Sequence, residues 1–130
     1  MEKLGNEWVN NSVSCATYRT VDVLANCAEV LEIAANQQSI TSEKAELMNV
    51  LAEARAYCKI LKAFEQIGIL FPSLTRLRRD TEDEAKTFLN EVIWDYMDEI
   101  APNGTTFEAH PGDMTDFGFW EYDKDGELYV

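Results

Sequence analysis

Apolar residues recur every three or four positions over three separate stretches of the chain, and over the last quarter that rhythm gives way to alternation. Val21, Leu24, Ala28, Leu31 and Ala35 mark one face of a first helix, with Thr17 or Thr20 available as its cap and Asn36-Gln37-Gln38-Ser39 as its end. Leu47, Leu51, Ala54, Cys58, Leu61 and Ile67 mark a second. Thr41 or Ser42 opens it, Glu43 sits in a first turn where the helix dipole favours an acid, and Gly68 fits the C-cap. Ile69-Leu70-Phe71-Pro72 is an apolar connection broken by proline, and Ser73 to Arg79 reads as a short helical turn. Thr81 and Glu84 have the spacing of a capping box, so a third helix is expected to start there. Ala85, Phe88, Leu89, Val92, Tyr96, Met97 and Ile100 would line its buried stripe until Ala101-Pro102-Asn103-Gly104 stops it.

After Gly104 the segments Thr105 to Ala109, Phe117 to Tyr122 and Glu127 to Val130 read as short strands, the last two joined by a turn at Asp123-Lys124-Asp125-Gly126. Residues 1 to 17 have weak periodicity, and Trp8 and Val13 are expected to dock them onto the core. Short strands cannot stand alone in water, so they must pack on the helices. The expectation is one α+β domain over residues 1–130. Residues 1–104 form a three-helix core, and 105–130 form an acidic, aromatic-rich tail carrying a short antiparallel hairpin or small sheet. A length of 130 residues and 46% apolar content suffice for a single core and argue against disorder.

Charge changes the picture more than composition does. The net charge is −13, and residues 80–130 carry fifteen acids against two bases, while residues 41–79 are net positive. Phosphates would be repelled by such a chain, so direct contact with nucleic acid or an anionic membrane is not expected. A basic protein surface would be attracted instead. On the third helix Glu84, Glu91, Asp95, Asp98 and Glu99 fall opposite the apolar stripe. The tail adds Glu108, Asp113, Asp116, Glu121, Asp123, Asp125 and Glu127, with Phe117, Phe119, Trp120, Tyr122 and Tyr129 among them. Carboxylates spread over a curved surface can imitate a phosphate backbone, and an aromatic side chain left at the rim would anchor an interface. The candidate partner-binding residues are therefore Glu91, Asp95, Asp98, Glu99, Asp113, Asp116, Trp120, Glu121, Asp123 and Asp125. The bland alternative is that the acids serve solubility.

Other chemistry is sparse. His110, Asp113 and Asp116 have ligand character, but their spacing matches no closed metal site, and a Pro-Gly turn with Asp side chains on local amides is the favoured reading. No cofactor or metal is expected. Cys15, Cys27 and Cys58 lack paired spacing and read as reduced thiols, and nothing places any of them beside the single histidine, so no enzyme activity is expected. Glu46, Glu53 and Glu65 alternate with Arg55, Lys59 and Lys62 as a salt-bridged wet face of the second helix. Arg76, Arg78 and Arg79 are expected to pair with the acidic C-terminal region, with phosphate binding as the alternative. The start Met-Glu-Lys-Leu-Gly lacks a signal-peptide apolar run, and no stretch approaches about 18 apolar residues, so a soluble cytoplasmic protein is expected.

One stretch of fourteen residues, F-E-A-H-P-G-D-M-T-D-F-G-F-W from Phe107 to Trp120, resembles the tail motif F-G-A-H-P-G-D-G-x-D-F-G-F-W of small phage and prophage proteins. Glu108 and Met114 stand where that pattern has glycine, leaving the backbone less free. The resemblance implies a viral or mobile-element origin and a host-cell setting, and carries no site residues. Such an origin, with this size and charge, implies an inhibitor of host defence of the anti-CRISPR or anti-restriction kind. The alternative is a phage accessory or assembly protein that binds its partner through an aromatic surface.

Overall fold

The structure is a computed structural model in which residues 1–67 and 70–121 are described. Helix α1 (Thr20–Gln37) is the central element. The expected face of Val21, Leu24, Ala28, Leu31 and Ala35 is buried, and so is a second row, Val23, Cys27, Val30 and Ala34. With so much of its circumference buried, α1 packs on α2 (Thr41–Ile67) and also meets the remainder of the molecule, leaving Asp22, Glu29 and Glu32 as its only charged residues. Its start is fixed by Thr17, whose hydroxyl accepts the Arg19 N–H at 3.1 Å and donates to Asp22 at 2.9 Å. At its end the buried Gln38 amide donates to the carbonyls of Ala34 and Glu2 and accepts the Glu2 N–H.

The third helix departs from expectation in two ways. It begins six residues early: α3 runs from Thr75 to Phe88, and Thr81 lies inside it with its hydroxyl turned back to the Leu77 carbonyl at 2.9 Å. No capping box forms, and Glu82, Asp83 and Glu84 occupy mid-helix positions. Pro72 instead opens a single 3₁₀ turn, Pro72–Leu74, that leads into α3. Second, the backbone passes through a π-helical stretch, Leu89–Ile93, before resuming as α4 (Trp94–Ile100). A π turn holds one residue more than an α turn, so the buried stripe advances by one. Leu89, Ile93, Met97 and Ile100 are buried, whereas Val92 and Tyr96, expected in the stripe, are only half-buried.

The architecture is α+β, three helical rods with a three-stranded antiparallel sheet in the order β1-β3-β2, but the sheet is not a C-terminal hairpin alone. Strand β1 (Ser12–Ser14) comes from the N-terminal segment and pairs with β3 (Asp113–Glu121), which pairs in turn with β2 (Thr105–His110). The hairpin turns at Pro111-Gly112. The expected turn at 123–126, the strand at 127–130 and the Gly68 cap lie outside the described residues. Phe107, Phe119 and Phe117 point to the helices, where Trp94 meets Phe107 at 4.6 Å and Phe117 at 5.6 Å. Trp8 closes the other end of this group, edge-on to Phe119. Gly118 is required where it stands. A Cβ there would lie 2.4 Å from the Asn11 carbonyl oxygen and 2.9 Å from the Trp120 ring, so no larger residue lets β1 and the indole approach β3. No helix among the described residues is long and apolar enough to cross a membrane.

Candidate functional site

The structure divides the predicted acidic residues into two kinds. Glu91, in the π stretch, and Asp95 and Glu99, on α4, are exposed, and among the described residues their carboxylates enter no ion pair. Four others are engaged in holding the fold. Asp98 accepts the Phe107 N–H at 2.9 Å and so pins β2 to α4. Asp113 accepts both the N–H and the hydroxyl of Thr115, which holds its carboxyl below the usual range with help from His110. Asp116 accepts the Ser12 hydroxyl, and Glu121 accepts the Asn10 side-chain amide at 3.1 Å while its own N–H goes to Asn10 Oδ1. Trp120 is 3% exposed instead of standing at a rim: its indole N–H donates to the Glu108 carbonyl at 2.9 Å, and the edge of His110 meets its face. Asp123 and Asp125 lie outside the described residues.

His110, Asp113 and Asp116 do not converge. His110 Nδ1 accepts the Gly112 N–H at 3.0 Å and the two carboxylates bond elsewhere, so each is occupied by the turn and its neighbours. Among the described residues no three potential ligands come together. Cys27 and Cys58 are buried free thiols, and burial, with Cys58 nearby, pushes Cys27 up to about 12. A thiol held protonated in this way is a poor nucleophile.

The exposed acids of the third helix gain company that sequence reasoning assigned elsewhere. Ion pairs expected along α2 do not form among the described residues. Arg55 pairs with Glu32 and Glu65 with Arg19, both on or beside α1. Glu46 turns the other way, towards the third helix. The Tyr96 hydroxyl donates to Glu46, a bond that, with burial and the charges of Glu46 and Glu99, pushes the phenol up to about 12. Tyr57 is pushed up as well, by burial first and then by Glu84 and Glu53. An acidic seam thus follows the junction of α2 with α3 and α4, with Glu53, Glu84, Glu91, Glu46 and Glu99 along it. The signal was present in the sequence: Glu46, Val50, Glu53 and Tyr57 form a helical row beside the buried stripe.

The basic cluster also sits differently from expectation. Arg76, Arg78 and Arg79 occupy the first turns of α3, where the helix dipole disfavours cations, and none enters an ion pair among the described residues. Comparison with protein-family models, with curated proteins and with solved structures finds no match.

Proposed function

We propose that the chain is a non-catalytic, phage-type acidic protein that inhibits a host nucleic-acid-targeting defence complex, anti-CRISPR or anti-restriction in kind, by occupying a basic DNA- or RNA-binding surface. The observation that carries this reading is the row of exposed carboxylates on the third helix, Glu91, Asp95 and Glu99, none of them in an ion pair among the described residues. Acids that neither pair nor pin the fold remain available to a partner's lysines and arginines, and their summed field accelerates encounter. The phage setting rests on the resemblance of residues 107–120.

The test is a pull-down of the tagged protein from host lysate, washed at low and at high salt, followed by affinity measurement on the captured partner. A nuclease or CRISPR subunit released by high salt is the expected result. Changing Glu91, Asp95 and Glu99 together to lysine should weaken binding by about tenfold or more and flatten its salt dependence, with the fold retained. Asp98 is left out of that variant because its loss would unpin β2. Unchanged affinity in the triple variant would remove the main support. A second reading, an accessory or assembly protein, is favoured by one observation: Leu70, Phe71 and Leu77 at the α2–α3 end are each more than half exposed. A partner that survives the salt wash, and that Leu77→Asp releases, would favour it.

A further inference from the structure

Between α2 and α3 the acidic seam opens into a cleft of about 440 Å³. Its floor is apolar and aromatic: Tyr57 and Phe88 lie tilted against one another with ring centroids 5.3 Å apart, and Val92 extends the surface. Its edge is anionic, formed by Asp83, Glu84 and Glu91, and among the described residues no cationic side chain lines it. The negative field reaches the floor, since Glu84 and Glu53 both make the Tyr57 phenol harder to ionise. An apolar ligand would leave the carboxylates idle, and a small inorganic cation would find no use for the rings. A side chain that is flat, cationic and carried on an alkyl stem uses both.

We propose that this cleft receives an arginine side chain presented by the basic protein partner, its guanidinium over the Tyr57 ring among Asp83, Glu84 and Glu91 and its stem against Phe88 and Val92. The proposal rests on the binding reading above and gives it a point of insertion. Arginine is preferred to lysine because its planar, weakly hydrated cation both stacks on an aromatic face and donates in pairs to carboxylates. The π stretch contributes by geometry: the added residue at Leu89–Ile93 leaves Val92 half out of the core, at the cleft, rather than in the buried stripe.

Titration of the full chain with deca-arginine and with deca-lysine peptides at equal salt, followed by amide chemical shifts, tests this directly. Deca-arginine should bind about three- to tenfold more tightly. The largest shifts should fall at Tyr57, Phe88 and Val92. Glu84→Gln with Glu91→Gln should weaken deca-arginine binding and erase the preference, and these exposed positions should leave melting unchanged. Tyr57→Leu, which keeps an apolar floor, should also erase the preference, whereas Tyr57→Phe should retain it. Equal affinity for the two peptides, no binding of either, or shifts concentrated outside the cleft would overturn the proposal. The salt-sensitive pull-down and a variant changing only Asp95 and Glu99 to lysine, which leaves the cleft intact, judge the wider reading separately.

Discussion

Glu108 sits in β2 beside the Trp120 indole with one carboxylate oxygen, Oε1, buried and without a hydrogen-bond partner among the described residues. Burial, and then the charge of Asp98, raise its proton affinity above the ordinary value of 4.5. In the window just above 4.5 the folded chain holds a proton that the unfolded chain has released, so stability falls as pH rises through it. Glu108→Gln removes the ionisable group and should raise Tm slightly at pH 7 while changing little near pH 4. Melts at the two pH values decide the matter, and an equal effect at both would mean that the charge is not the cause. Asp98 and Asp116 show why acids were the least legible residues. Both look like free surface carboxylates in sequence, yet each is committed to a donor that only tertiary structure supplies, Phe107 N–H and the Ser12 hydroxyl. Trp120 was misplaced for a related reason. Strand alternation puts it opposite Phe119, and its acceptor, the Glu108 carbonyl, lies on the neighbouring strand.

The helices were legible wherever burial follows an unbroken 3.6-residue period. The α1 stripe and the α2 stripe from Leu47 to Leu61 bury as their spacing requires. In the third helix Ala85, Phe88, Leu89, Met97 and Ile100 bury as expected, but Val92 and Tyr96 do not, because the extra residue of the π stretch leaves no mark on the apolar pattern until the two registers are compared. That shift has a measurable consequence. Ile93→Ala, at a fully buried position, should cost about 2–5 kcal/mol, while Val92→Ala should cost about 1 kcal/mol or less. A straight α-helix would reverse the order, so urea denaturation of the two variants distinguishes them. Strand β1 was invisible for a simpler reason. Three residues, Ser12-Val13-Ser14, are too few to show alternation, and their ladder is closed by a strand about a hundred positions away.

A net charge of −13 makes the whole molecule repel itself, and few ion pairs among the described residues offset this. Raising salt from about 0.01 M to about 0.1 M shortens the screening length from about 30 Å to about 10 Å. Tm should rise by a few degrees over that range. A falling Tm would mean that attractive pairs such as Arg19–Glu65 and Arg55–Glu32 outweigh the repulsion. The distribution of charge is uneven as well as large, with arginines at the start of α3 and carboxylates along the seam.

The sheet has a consequence for how the chain is made. The bond from Ser12 to Asp116 joins residues 104 positions apart, and the same ladder seats Asn10 against Phe119. During synthesis at about 5–20 residues per second, β1 must wait roughly 5–20 s for β3, its sheet neighbour among the described residues, to emerge. The helices can assemble in that interval from local contacts, so the N-terminal strand closes the structure last. Until then Trp8 and Val13 have no sheet to cover, and the nascent protein presents them to whatever binds apolar segments at the ribosome.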